Sequence, residues 1–175
     1  DSLLISEFCN KNGIELLHLP RHQDIESRIE YEKRLQYEIS KYNNDLVFFA
    51  GWNMIVSKEF IETVPPIYNL HPALPNTFKG NDAIEQALKA YKREEITYTG
   101  SMVHRVIEEI DSGNVVQTVK VNILENDTLE TLTERIKSYE KGLVISSIQS
   151  FIEAHNTKLV TQDLSDSPYV GKVRT

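Results

Sequence analysis

A single cysteine, Cys9, stands among 175 residues, so no internal disulfide is available and the chain fits a reducing cytosol. Cys9 reads as small apolar filler on a helix rather than a nucleophile. Long hydrophobic runs are also lacking. The longest, Leu46-Val47-Phe48-Phe49-Ala50-Gly51-Trp52, falls far short of the roughly 20 residues that span a bilayer, and no charged-then-apolar leader opens the chain. A soluble, cytoplasmic protein with no membrane partner is expected. Basic residues are in the minority: 19 Lys and Arg face 26 Asp and Glu, for a formal charge of -7. They are scattered, not gathered into a stripe, so nucleic acid is not an expected partner. His18, His22, His104 and His155 show no ligand spacing, and no metal is expected. Neither G-x-x-x-x-G-K-[ST] nor G-x-G-x-x-G occurs, which excludes nucleotide binding by those loops within these residues. An anionic small molecule remains possible, because a helix N-terminus or a nest of amides holds a phosphate against an unfavourable net charge.

What is present suits one globular domain from Asp1 to Thr175, with a tail after about residue 158. At 40% hydrophobic and 26% charged, the chain buries one core and is short for two domains. Leu3 to Gly13 reads as the end of a helix stopped by Gly13. Ile14 to His18 reads as a short strand, and Ile25, Ile29, Leu35, Ile39 and Tyr42 recur at helical spacing, giving a helix that would cover one face of a sheet. Leu46 to Gly51, apolar on both sides, suits a strand buried between helices in a mostly parallel sheet. Ser57 caps a short helix to Val64; Pro65-Pro66 stops it. Ile67 to His71 is the next strand, broken by Pro72 and Pro75. Asp82 with Glu85, and Asp127 with Glu130, have the spacing of capping boxes that open helices, the first reaching about Lys92 and the second the long last helix. Asn81 and Asp82 thus read as helix-starting residues. Residues 97–107 and 115–123 read as two strands around Asp111-Ser112-Gly113, and Leu159-Val160-Thr161 as a final one before a mobile end. The fold class is α/β.

His71 lies at the carboxyl end of its strand, where open α/β sheets place ligands. Asn69, two residues earlier, points to the same face. Each has an ordinary use by itself: Asn69 can satisfy strand-end backbone, His71 can flank a turn, and Asp111 suits a tight turn. Together an amide, an imidazole and a carboxylate can polarise a carbonyl and move its protons. Asn69 and a protonated His71 would donate to a developing oxyanion, while Asp111 would hold His71 charged or order a water. On the last helix Leu129, Leu132, Ile136, Tyr139 and Leu143 define an apolar face, and Glu140 falls close to Ile136 on it. A core-facing carboxylate needs a cationic partner, must snorkel, or meets a substrate amine; structural pairing is the reading favoured from the sequence.

Asn69-Leu70-His71-Pro72-Ala73-Leu74-Pro75, Phe78-Lys79-Gly80, Ala83, Gln86-Ala87-Leu88, Gly100, Val103-His104 and Glu108-Glu109-Ile110-Asp111-Ser112-Gly113 carry a resemblance to the phosphoribosylglycinamide formyltransferases. The chain resembles this folate-dependent family of purine synthesis over about residues 14 to 152, and its Ala50-Gly51-Trp52 and short His71 to Pro75 segment are similar to the fungal form. The resemblance implies a Rossmann-like formyltransferase fold, a mostly parallel twisted sheet with helices on both faces. It implies formyl transfer from 10-formyltetrahydrofolate, a cosubstrate used without a metal, to glycinamide ribonucleotide. Asn69, His71 and Asp111 become the catalytic trio. Gly51 and Pro72 would line the ribonucleotide, Glu140 would receive its amine, and Asn53, Met54, Ile55, Val56, Val106, Ile107, Glu108 and Glu109 would border the pterin, largely through main chain. Trp52-Asn53-Met54 departs from the family's usual arginine, which meets the folate tail. The last helix has Glu140-Lys141 where Glu-His is usual. The family's first strand and phosphate-binding loop, placed before Asp1 by the resemblance, are not in these residues, so an N-terminally incomplete domain is expected.

Three readings stay open at this level: that enzyme; a related user of 10-formyltetrahydrofolate, either a methionyl-tRNA formyltransferase or a formyltetrahydrofolate hydrolase; and a non-catalytic α/β binding module. A methionyl-tRNA formyltransferase would need a further basic C-terminal domain, which is not expected from these residues, and a formyltetrahydrofolate hydrolase usually shows a second His where Pro72 stands. No oligomeric state can be read.

Overall fold

A computed structural model describes the backbone of residues 2–165 and the side chains of residues 3–155. The chain divides into two compact units, Asp1–Asn43 and Asn44–Thr175.

The first unit holds α1 (Ser2–Asn12) and α2 (Arg28–Ser40). Gly13, at φ 65°, ends α1: its amide bonds the carbonyl of Asn10 and the amide of Ile14 that of Cys9, the paired pattern of a left-handed helix stop. α2 opens on a reciprocal cap in which Ser27 Oγ accepts from the Glu30 amide and Glu30 accepts from the Ser27 amide. Ile14 to His18 is not a strand. β-branched and leucine content alone does not make one, because a strand exists only as a member of a ladder, and none of the pairings among the described residues includes it.

The second unit is built on four strands in the order β1 (Val47–Phe49), β2 (Ile67–His71), β3 (Tyr98–Arg105) and β4 (Val115–Asn122). β1 and β2 pair in parallel, while β3 is antiparallel to both β2 and β4. Three of the four strands therefore run one way, with β3 reversed. The parallel connection between β1 and β2 carries α3 (Lys58–Thr63), capped as the sequence indicates by Ser57. α4 (Ala83–Lys92) connects β2 to β3, and α5 (Leu129–Ser165), about 55 Å long at 1.5 Å per residue, follows β4.

Register decides which residues meet. Tyr68 stands opposite Arg105, Leu70 opposite Val103, and Val103 opposite Gln117, so these share one face. Ser101, two residues from Val103, lies on it too. That face takes α5, where Phe151 meets Tyr68 edge-on, Ser147 bonds Gln117 and Glu140 bonds Ser101. Asn69, opposite His104, and His71, opposite Met102, lie on the other face. The core proper joins α4 and α5 to β4 through Ala87, Leu88, Val121, Ile123, Leu132 and Ile136.

Four local expectations are corrected. The buried stripe of α5 is Leu132, Ile136, Leu143 and Ser147; Leu129 and Tyr139 are exposed, being one position round from it. α5 is capped by Thr128 and Thr131, whose hydroxyls each accept the other's amide, and Asp127 is drawn instead to the guanidinium of Arg135. α4 does begin after Asp82, yet the Asp82 side chain makes no cap bond, its backbone lying outside the extended conformation that N-caps use. Leu159 to Thr161 is helix, continuous with α5, instead of a strand. The end expected to be mobile follows Thr161; its first residues, Gln162 to Ser165, continue α5, and the remainder lies outside the described residues.

Candidate active site

β2 ends at His71, and its last turnward residues open into a cavity of about 620 Å³. Every residue that the sequence singles out for the site lines it: Asn69, His71 and Asp111; Gly51, Pro72 and Glu140; Asn53 to Val56; and Val106 to Glu109. Residues that sequence reasoning passed over line it as well, chief among them Trp52, Gly80, Asn81, His104 and Lys137.

Asp111 is the hub of the polar cluster. Its Oδ2 lies 3.6 Å from His71 Nδ1 and its Oδ1 3.5 Å from His104 Nε2, and the Gly80 amide donates to Oδ2 at 2.9 Å. Burial pushes this carboxyl up, but the hydrogen bond from His104, the Gly80 amide and the nearby charges of His71 and His104 together bring it below its ordinary value. The residue adopts φ 51°, a left-handed backbone that an L side chain rarely takes. Gly113 makes the turn possible by close approach: a Cβ there would fall 1.8 Å from the carbonyl oxygen of Arg105.

Both imidazoles are nearly buried and tied to backbone. His71 Nε2 lies 2.7 Å from the Phe78 carbonyl oxygen, and His104 Nδ1 lies 2.9 Å from that of Arg105. A carbonyl only accepts, so these nitrogens carry the protons. A register shift between β3 and β4 falls at Val103 and His104, the kind of irregularity that re-aims a side chain at the rim of a sheet.

Asn69 Nδ2 lies 3.4 Å from His104 Nε2, leaving the buried Oδ1 without a partner. A buried amide oxygen with no donor costs about 1–3 kcal/mol. The orphaned atom marks a place where a bound group can complete the hydrogen bonding.

Glu140 is half-buried in line with the buried stripe of α5, one turn after Ile136, and its Oε1 accepts from Ser101 Oγ at 2.8 Å. The partner is thus a neutral hydroxyl, and no cation pairs with Glu140 among the described residues. The structural pairing favoured from the sequence is only half met, since a carboxylate on one hydroxyl keeps most of its accepting capacity. Lys137, one turn earlier, brings a positive charge to the same cavity. On the opposite wall Trp52 stacks on Phe49 at 4.4 Å and donates its indole proton to the Met54 carbonyl at 2.6 Å, which fixes the course of the Asn53 to Val56 backbone.

His104 had a signal that could have been read: it is an imidazole inside a strand otherwise buried on both faces. Its partnership with Asn69 depends on register, which no local pattern carries.

A family model described as formyl transferase matches residues 9–148. The chain belongs to the formyl transferase family. Among similar proteins, a phosphoribosylglycinamide formyltransferase of Dictyostelium discoideum is 41% identical over 130 residues, 70% of this chain and 63% of that protein. One of Schizosaccharomyces pombe is 39% identical over 129 residues, covering 71% and 62%. This formyl transferase chain therefore spans somewhat under two thirds of the length of those relatives. A solved phosphoribosylglycinamide formyltransferase of Streptococcus pneumoniae superposes with a TM-score of 0.75 at 28% identity, covering 85% of this chain and 80% of that one. These likenesses establish the Rossmann-like formyltransferase architecture for the chain.

Proposed function

We propose that this protein transfers the formyl group of 10-formyltetrahydrofolate to the amine of glycinamide ribonucleotide, a step of de novo purine biosynthesis, and that it does so in the cytoplasm. No helix among the described residues is long and apolar enough to cross a membrane. The observation that carries the reading is the convergence of Asn69, His71 and Asp111 on one cavity at the carboxyl end of β2. The names of the similar proteins support the choice of acceptor. Both compact units are read as parts of one formyltransferase domain, since the family match runs across Asn43 and Asn44.

The cavity's volume falls within the usual range of small-molecule sites, roughly 300–1,000 Å³. Its two walls divide the work. The backbone of Asn53 to Val56 and of Val106 to Glu109 would border the pterin, and Gly51, Pro72 and Glu140 would face the ribonucleotide. Glu140, held by Ser101, accepts hydrogen bonds from the glycinamide amine and turns its lone pair toward the formyl carbon.

As the amine's bond to that carbon forms, Asn69 and His71 donate to the formyl oxygen. Loss of one such donor costs about 3 kcal/mol of transition-state stabilisation. The His71 Nε2 proton now rests on the Phe78 carbonyl, so donation to substrate means exchanging that bond for one to the formyl oxygen. Asp111, kept ionised, balances the charge on His71 and accepts the amine proton directly or through a water. The bond to the folate nitrogen breaks, and that nitrogen takes the proton.

Steady-state turnover with ribonucleotide, initiator tRNA and water offered as competing formyl acceptors tests the reading. Ribonucleotide is expected to dominate. Equal or preferred transfer to tRNA or water would replace this function with that of a related enzyme, and no transfer at all would leave a binding module.

A further inference from the structure

Two consecutive residues hold the Asp111 turn in different ways. Gly80 gives its amide to the carboxylate itself, at 2.9 Å. Lys79 reaches the residues around it: its Nζ donates to Ser112 Oγ at 2.7 Å and to Glu109 Oε1 at 3.1 Å. Ser112 passes the bond onward, donating from Oγ to the carbonyl of Ile110 at 2.9 Å. The ammonium thus grips the turn two residues before Asp111 and one residue after it, without being bonded to the carboxylate.

The grip answers a specific need. Asp111 stands at φ 51°, and a left-handed backbone costs an L residue roughly 1–2 kcal/mol. An unheld turn relaxes toward ordinary geometry and carries the carboxylate away from His71 and His104, which stand 3.6 Å and 3.5 Å from it. Lys79 and Glu109 are both substantially exposed, so as an ion pair they add little to stability. Whatever Lys79 contributes lies in the aim of Asp111.

We propose that Lys79 is a positioning residue for formyl transfer: by locking the turn from Glu109 to Ser112 it keeps the Asp111 carboxylate directed at the two imidazoles. The proposal rests on the formyl-transfer reading above.

Lys79→Met, Lys79→Arg, Ser112→Ala and the Lys79→Met/Ser112→Ala double variant, each made in the protein at its natural length, test it alongside the parent and His71→Ala. For Lys79→Met, kcat is expected to fall on the order of tenfold or more, with KM for both substrates within about twofold. Its melting temperature should stay within about 2 °C of the parent. Arginine, which can still span both acceptors, should recover most of the turnover. The double variant should be no slower than Lys79→Met, because both changes cut one network. Parent-like turnover of Lys79→Met overturns the proposal, as does a loss of kcat that tracks an equal loss of stability and is not rescued by arginine. A parent protein that transfers no formyl group, indistinguishable from His71→Ala, overturns the functional reading and takes this proposal with it.

Discussion

His71 Nδ1 stands 3.6 Å from Asp111 Oδ2, slightly beyond hydrogen-bond length, in a pocket where both side chains are almost wholly shielded from water. The carboxylate is shared with His104 on its other oxygen. A carboxylate held ionised between two imidazoles can bond either ring, and small movements decide which one it serves.

Removing either partner should therefore cost turnover far more than it costs the fold. His71→Ala and Asp111→Asn are each expected to lower kcat by about 10²-fold or more, with far-ultraviolet circular dichroism unchanged. Parent-like rates in either variant would leave the cluster as structure alone.

Glu140→Gln keeps the hydrogen bond from Ser101 and removes the charge. KM for the amine acceptor should rise by about tenfold while KM for the folate stays near that of the parent, a split that initial-rate kinetics reads directly. An equal rise in both constants would place Glu140 elsewhere in the mechanism.

Gly113→Ala should be severe. The added carbon has no room against the Arg105 backbone, so the turn bearing Asp111 must move. A loss of about 2 kcal/mol or more in urea unfolding, together with loss of turnover, is expected. Unchanged stability would mean that the β3–β4 connection is looser than its packing indicates.

The pair of Asp127 and Arg135 gives a pH signature in stability. The guanidinium bonded to it, opposed by burial and aided by the Leu124 amide and Thr131, brings the Asp127 carboxyl down from 3.8 to about 2. A depressed folded-state pKa stabilises above the unfolded value and loses that contribution as pH falls through the folded one. The worth is about 2 kcal/mol, fully present above pH 4 and gone near pH 2. Unfolding of Asp127→Asn should differ from the parent by that amount at pH 7 and converge with it in acid; a gap that persists at pH 2 would assign the loss to packing.

Much of this was legible wherever the signal is local. Ser57 as a cap, Pro65-Pro66 as a stop and the limits of β2 act over a few residues, and the structure has them where the chain indicates. Capping at α5 was misplaced by one residue because Asp127 has a stronger partner in Arg135, a choice that only tertiary contact makes. Ile14 to His18 has strand composition without a ladder, and Leu159 to Thr161 has the same composition inside a helix already nucleated. Within the site, same-face placement of Asn69 and His71 follows from strand period. The arrival of His104 follows from pairing register, and the grip of Lys79 from a loop that closes on a turn far along the chain; neither leaves a periodic trace.

Glu140 occupies a seat that the neighbouring leucine and isoleucine positions of α5 show to be a natural one for an aliphatic side chain. On the role proposed for Glu140, a library screened for heat resistance alone would therefore tend to enrich leucine there and return a tougher, inert protein. Engineering for robustness has to keep that seat acidic and look for gains elsewhere along the helix.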